Sequence, residues 1–195
     1  MTSRREFLQG ATLAAVPLVT GVPGIAQANT GEIAAYHAVL IDDRHAAART
    51  FGAALAGRGS RVLPVLHGDV TTLWLRDIGP AWREAPVPVA GLTRPAVLFC
   101  LEQLAWAQGL RVVFHAEHVE APLQGTRHVV HACAAGPAAQ DLALRGPLWP
   151  TQIADVMSRF DTTRRDIRTG PSCAGLLPAL PVGAELLTSW IIAPA

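Results

Sequence analysis

Apolar and polar positions alternate between a strand pattern and a helix pattern from residue 35 to about residue 118. Residues 35–41 form an apolar run that ends at two aspartates, which is typical of a buried strand. From Arg44 the apolar residues repeat at helical spacing until Gly57. Asp43 is predicted to cap this helix, because its carboxylate can accept hydrogen bonds from the free N–H groups of the first turn.

The same alternation continues along the chain. Further strands are predicted at 61–66, 87–90 and 111–114, and further helices at 70–78 and 93–108. Asp69 and Thr93 are the predicted caps of these helices, and Gly79-Pro80 is the predicted end of the first of them. Strand–helix units in succession favour parallel strands joined by right-handed crossovers. We therefore predict an α/β fold with a Rossmann-like or flavodoxin-like, mostly parallel sheet.

After Phe114 the pattern changes, and an added antiparallel hairpin is predicted. Its strands are residues 115–120 and 127–134, and a helix at 151–160 and a last strand at 185–192 follow. We predict that residues 29–195 form one α/β domain.

Polar residues that follow the predicted strands are the first group of candidate site residues. In an open parallel sheet, ligands bind beyond the carboxyl ends of the strands. The alternative is that these residues only cap helices and form turns. The candidate catalytic residues are Asp42, His67 and Asp69, and the candidate ligand-binding residues are Asp43, Gly68, Gly91 and Thr93.

Histidines give the second candidate site. Four of the seven lie at the two ends of the segments 115–118 and 128–131. Imidazoles and carboxylates bind zinc, copper or iron. Residues three apart on a strand point to opposite faces, so His115 and Glu117 share one face and His118 takes the other. We predict a transition-metal site of His115, Glu117 and His128; the alternative is a half-exposed hairpin with its histidines in water.

Composition excludes several kinds of chemistry. All 16 basic residues among the 195 are Arg, so a Schiff-base lysine and a Walker-type lysine are excluded. A net charge of +1 argues against a nucleic-acid partner. Neither a Gly-x-Ser-x-Gly elbow nor a dinucleotide-binding glycine motif is present. Whether the protein is an enzyme stays open at this stage.

The three cysteines allow at most one internal disulfide, and Cys133–Cys173 is the candidate pair. Cys100 lies in an apolar helix pattern and is predicted to be buried. Among the tryptophans, Trp74 and Trp106 are predicted to be core residues, whereas Trp82 and Trp149 lie beside prolines and are candidates for a groove or an interface.

Residues 1–28 have the three parts of an export signal. Arg4-Arg5 with Phe7-Leu8 is followed by an apolar stretch to Ile25 and then by Ala26-Gln27-Ala28, a small-x-small cleavage pattern. This segment resembles the twin-arginine (Tat) signal peptide of exported bacterial proteins. The alternative, an N-terminal membrane anchor, is disfavoured because the apolar run is short and interrupted by prolines.

The resemblance implies the Tat translocase as a partner and a periplasmic or secreted location. The Tat pathway exports folded proteins; many acquire a cofactor before export, and some travel with a partner subunit. Two of the 16 Arg and one of the 15 acidic residues lie in this segment, so the rest of the chain is neutral. No membrane association is expected after cleavage.

Three functions are compatible with these observations. The first is an exported accessory protein that binds a small molecule or a co-exported subunit. The second is a periplasmic enzyme, a metal-assisted hydrolase or an oxidoreductase, with its site at the strand ends. The third is a small interaction subunit of an exported redox complex.

Overall fold

A computed structural model describes residues 36–121, 125–131, 146–162 and 180–194. In these residues six strands form one mixed sheet with helices on both faces, which confirms the predicted α/β class. The strands are β1 (Ala38–Ile41), β2 (Val62–Pro64), β3 (Val89–Thr93), β4 (Leu110–Ala121), β5 (Gly125–Val130) and β6 (Glu185–Pro194), in the order β2-β1-β3-β6-β4-β5.

One end of the sheet is parallel. Strand β1 pairs in parallel with β2 and with β3, so Leu40 lies opposite both Leu63 and Gly91. All four residues of β1 and all five of β3 are buried. Strands covered on both faces need apolar side chains at every position, which explains the continuous apolar runs.

The other end of the sheet is antiparallel, and here the prediction of a mostly parallel sheet is wrong. The C-terminal strand β6 inserts between β3 and β4 and runs antiparallel to both. Its residues Leu187 to Ala193 are apolar or small and almost completely buried, as a central position requires. The hairpin of β4 and β5 is antiparallel, as predicted.

Strand β4 is longer than predicted and contains an irregularity. The predicted strands 111–114 and 115–120 are one strand, whose register against β6 shifts between Val112 and Phe114. Before the shift Val112 packs in one core cluster, and after it Phe114 packs in the other. The extra residue of this β-bulge therefore changes which side chains of β4 point to each face.

Helices cover the two faces of the sheet. On one face α1 (Ala46–Ala56) and α5 (Trp149–Ser158) pack over Val39, Phe114 and Ile191. The other face is covered by α4 (Pro95–Trp106) and by a helical segment composed of α2 (Thr71–Leu73), a π-helical turn (Trp74–Ile78) and α3 (Gly79–Glu84). The apolar periodicity located these helices, but their ends differ from prediction.

Two of the three predicted caps fail. Helices α1 and α4 begin after His45 and Arg94, neither of which makes a side-chain capping bond, so Asp43 and Thr93 are not caps. Only Asp69 behaves as predicted: its Oδ1 accepts from the N–H of Thr71 at 2.8 Å. Gly79-Pro80 does not end a helix, because proline is tolerated in the first turn of α3.

Burial corrects four further predictions. Cys100 and Trp106 are exposed on α4, whose hydrophobic residues extend beyond its buried face. Trp82 and Trp149 are buried, so neither lines a surface groove. The predicted disulfide of Cys133 and Cys173 lies outside the described residues. Among the described helices, none is long and apolar enough to cross a membrane.

Candidate functional site

Two predicted ligand-binding residues serve the packing of the sheet. A Cβ at Gly91 would overlap the indole of Trp190 on β6, so glycine is the residue that lets the ring lie against β3. Thr93 is buried, and its Oγ1 accepts from the indole N–H of Trp190 at 3.0 Å. Both residues position Trp190 between β3 and β4.

Asp42 is buried directly after β1 and holds two arginines. The Nε and Nη2 atoms of Arg44 donate to its two carboxylate oxygens at 2.8 and 2.6 Å. The Nε of Arg94, just before α4, lies 3.2 Å from Oδ2. The hydrogen bond from Arg44 lowers the pKa of Asp42 below its usual value, and burial opposes this shift. The carboxylate is therefore ionised at neutral pH.

A cleft of about 290 Å³ opens beside this cluster. Its lining includes Arg44, His45 and Arg94 from the strand ends of β1 and β3, together with Glu185 and Leu186 at the start of β6. The Nδ1 of His45 lies 2.9 Å from Glu185. The cleft therefore lies at the carboxyl edge of the parallel strands, where the sequence predicted a site.

Three further candidate site residues, His67, Gly68 and Asp69, lie in the loop after β2. His67 and Gly68 have positive φ angles of 54° and 80°. A Cβ at Gly68 would lie 3.2 Å from Nη2 of Arg94, so this loop approaches the cluster at Asp42. Asp69 is exposed, and the hydrogen bond from the backbone N–H of Thr71 lowers its pKa.

Asp43, the remaining candidate, follows Asp42 after β1. Its backbone carbonyl accepts a hydrogen bond from Arg49.

His115 and Glu117 on β4 lie away from Asp42. His115 lies opposite Trp190, which lies opposite Gly91, which lies opposite Leu40. Three strand spacings of about 4.8 Å place β4 ~14 Å from β1. The structure therefore contains two separate candidate sites, and His115 and Glu117 do not share a site with Asp42.

His115, Glu117 and His131 converge on one face of the hairpin. One ligand atom from each lies within 4.8 Å of the others. The Nε2 of His131 is 3.1 Å from a Glu117 oxygen, within ion-pair distance. The Nε2 of His115 is buried without a hydrogen-bond partner among the described residues.

Strand pairing creates this convergence. The N–H of His131 donates to the carbonyl of His115 at 2.8 Å, so the two side chains are cross-strand neighbours. Their rings stack with centroids 4.6 Å apart and an interplanar angle of 14°. Burial, and secondarily the charge of His131, lower the pKa of His115 to about 4. His115 is therefore a neutral imidazole at pH 7, the form that binds metals.

His128 lies on the opposite face of the hairpin, away from His115 and Glu117. Its Nδ1 is 2.7 Å from Nδ1 of His118, and Nε2 of His118 is 2.8 Å from the hydroxyl of Ser189. The ring of His118 stacks on Trp149 at a centroid distance of 4.3 Å. The structure thus places His131, and not His128, beside the other two predicted ligands.

These contacts make the pair of His118 and His128 a core element. Burial lowers the pKa of His118 well below its usual value and that of His128 to about 4. Both rings are therefore neutral at pH 7, and one Nδ1–H donates to the other Nδ1. The sequence predicted the face of His118 correctly; its partners on β5, α5 and β6 depend on strand register.

Sequence reasoning also missed a group at the cleft. His45, Glu120 and Glu185 bring ligand atoms within 4.8 Å of one another. Burial raises the pKa of Glu120, while Glu185 is exposed. Glu120 and Glu185 lie opposite each other on β4 and β6, which only the strand register reveals.

The two candidate sites differ in chemistry. The edge cleft offers guanidinium groups around a buried carboxylate, and the hairpin offers two imidazoles and a carboxylate. Comparison of the chain with protein-family models, curated proteins and solved structures gives no significant match.

Proposed function

We propose that this protein is an exported metal-binding protein, and that His115, Glu117 and His131 hold one transition-metal ion. The observation that carries the proposal is the convergence of two Nε2 atoms on one carboxylate: the Nε2 of His115 is buried without a hydrogen-bond partner, and the Nε2 of His131 lies 3.1 Å from Glu117. A buried polar atom left unpaired costs about 1–3 kcal/mol. One cation bound by both Nε2 atoms would give each of them a partner.

The distances support the proposal. Ligand atoms about 2.0–2.1 Å from a tetrahedral zinc ion are ~3.3 Å from one another. The 3.1 Å between His131 and Glu117 is already close to this separation, and the set as a whole lies within 4.8 Å. A metal lies in the plane of each imidazole that binds it, so one of the two stacked rings has to turn about its Cβ–Cγ bond.

The ligand types narrow the choice of metal. Two imidazoles and one carboxylate suit zinc, iron or copper and leave coordination positions free for water or another small molecule. The side chains of His131 and Glu117 are 18% and 21% exposed, which gives such a molecule access. A free coordination position on the metal is compatible with two roles: binding a small molecule as an accessory protein, or metal-assisted catalysis.

The signal-like segment at residues 1–28 supports the rest of the proposal. A Tat signal would carry the protein, already folded, to the periplasm or outside the cell. The metal would then be bound before export. A co-exported partner and a place in a redox complex stay predictions.

We further propose that the sheet is related to Rossmann-like or flavodoxin-like folds. The supporting features are the parallel order β2-β1-β3 and the helices on both faces. The central antiparallel β6 is a departure from these folds.

Metal content of the purified full chain tests the proposed function. We expect about one equivalent of zinc, iron or copper per chain. His131→Ala is expected to weaken binding by at least about 100-fold, because removing a ligand costs more than the 10–100-fold typical of its outer partners. His128→Ala is the matched control, since it removes a histidine of the same strand from the other face, and it should retain the metal.

Two outcomes would contradict the proposal. One is a protein that binds none of the three metals when each is added in excess. The other is loss of the metal in His128→Ala but not in His131→Ala, which would place the ion on the opposite face.

A further inference from the structure

The edge cleft lies at the carboxyl ends of the adjacent parallel strands β1 and β3, whose connections to the next strand leave in opposite directions. From β1 the chain passes through α1, on one face, to the outer strand β2. From β3 it passes through α4, on the other face, to β4. Adjacent strands whose connections leave in opposite directions form a topological switch point, which is where open α/β sheets bind ligands.

Two guanidinium groups lie against the single carboxylate of Asp42. Arg44 binds it through two hydrogen bonds, and Arg94 adds a second guanidinium at 3.2 Å. Asp42 and its two arginines alone have a formal charge of +1. The carboxylates of Glu185 and Glu120 lie beside His45, and Glu185 is 63% exposed. The proposal therefore rests on the guanidinium donors rather than on the net charge of the cleft.

The two guanidinium groups also have N–H donors to spare. Each guanidinium has five N–H donors. Arg44 uses Nε and Nη2 on Asp42, and Arg94 uses Nε. Within the described residues, Nη1 of Arg44 and both Nη atoms of Arg94 have no hydrogen-bond acceptor. Both side chains are nearly half exposed, so these donors are open to a ligand.

The loop after β2 brings backbone close to one of these guanidinium groups. Gly68, at φ 80°, lets the loop approach Nη2 of Arg94 at a distance that a larger side chain would obstruct. The cleft of about 290 Å³ between Arg94 and Leu186 has the size for a small molecule. An oxyanion fits its donors, because planar guanidinium groups bind carboxylate and phosphate with paired hydrogen bonds.

We infer that this cleft is a second ligand site, independent of the metal centre, that binds the carboxylate or phosphate group of a small molecule between Arg44 and Arg94. Asp42 is the positioning residue of this site, because its carboxylate holds the guanidinium groups of Arg44 and Arg94 in place. The protein binds the anion without forming or breaking a covalent bond.

Titration of the ¹⁵N-labelled full chain with inorganic phosphate, acetate and chloride at constant ionic strength tests this inference. We expect saturable shifts of the Gly68 amide and of the Arg44 and Arg94 Nε–H signals with phosphate or acetate, and none with chloride. The anion with the lower Kd shows whether the site prefers a phosphate or a carboxylate group. Arg94→Gln is expected to weaken binding about tenfold or more, as loss of a charge-assisted bond does.

Arg61→Gln is the matched control, because Arg61 also pairs with an aspartate, Asp77, but lies before β2, at the amino edge of the parallel strands, and does not line the cleft. It should change the affinity less than about twofold. Equal shifts with chloride, no saturable shift with any anion, or unchanged affinity in Arg94→Gln would overturn the inference. If Arg94→Gln does not fold, the comparison of anions on the unaltered chain decides. His115→Ala should leave this binding intact, so failure here is distinct from failure of the metal site.

Discussion

At the scale of single residues, the ring nitrogens of the hairpin histidines are the most informative atoms. The Nε2 of His115 is buried without a hydrogen bond and that of His131 faces Glu117 at 3.1 Å, whereas His118 uses both ring nitrogens in hydrogen bonds. The sequence identified histidines as the notable residues but could not separate these two kinds. The difference lies in the cross-strand neighbours, and therefore in the register of the hairpin.

Gly91 shows that a glycine required for packing can be mistaken, in the sequence, for a ligand-binding residue. In the sequence it was a candidate ligand residue at a helix start, but it lies inside β3 under the ring of Trp190. Its lack of a side chain is explained by a residue 99 positions later in the chain. No local pattern around Gly91 contains that information.

Gly91→Ala is predicted to destabilise the protein by about 1–3 kcal/mol, because the added methyl overlaps Trp190 in a packed core. Urea unfolding followed by tryptophan fluorescence measures this loss. Gly57→Ala is the control: it follows α1 with φ −61°, and a Cβ there would lie 3.6 Å from the nearest atoms, the carbonyl oxygens of Ala53 and Ala54. That variant should be within ~1 kcal/mol of the unaltered protein, or more stable. Equal stability of both variants would show that Gly91 has no packing role.

At the scale of elements, the sequence predicted where most strands and helices lie, the parallel pairing at one end and the antiparallel hairpin, but not the place of β6 in the strand order. The bulge near Val113 reverses which face of β4 each later residue occupies. It therefore places His115 and Glu117 on the α4 side and His118 on the α5 side. Helix ends were also hard to predict, since His45, Arg94 and Leu148 precede helices without any capping bond.

The edge strand β5 gives an element-scale prediction. His131 follows β5 and is the ligand that would join this strand to β4 through the metal. Added Zn²⁺ should therefore slow hydrogen exchange of the β5 amides. If opening of β5 releases the ion, the slowing is about 100-fold at a free Zn²⁺ concentration 100 times the Kd.

The opposite edge strand, β2, is the internal control for this measurement, because none of the three proposed metal ligands lies on it or on the strand that pairs with it. Its exchange should change little. An equal slowing of β2 and β5, or no change in β5, would contradict a metal bound by His131.

At the scale of the whole molecule, the fold separates two kinds of chemistry along one sheet. The parallel end carries the arginine cleft at its carboxyl edge, and the antiparallel end carries the imidazole and carboxylate set on the hairpin. The sequence predicted both regions, the first from topology and the second from histidine spacing. It did not predict that β6 would be inserted between them, because strand order depends on contacts between distant residues.

Together with the signal-like N-terminus, this arrangement is the basis of our proposal that the protein is exported and binds a metal ion at one site and an anionic small molecule at another. The central claim is the metal centre. The most direct test is anomalous diffraction at the zinc edge from crystals grown with Zn²⁺. We predict a peak about 2.0–2.1 Å from Nε2 of His115, Nε2 of His131 and a Glu117 oxygen. No peak there, or a peak only at His118 and His128 or at His45, Glu120 and Glu185, would contradict the account.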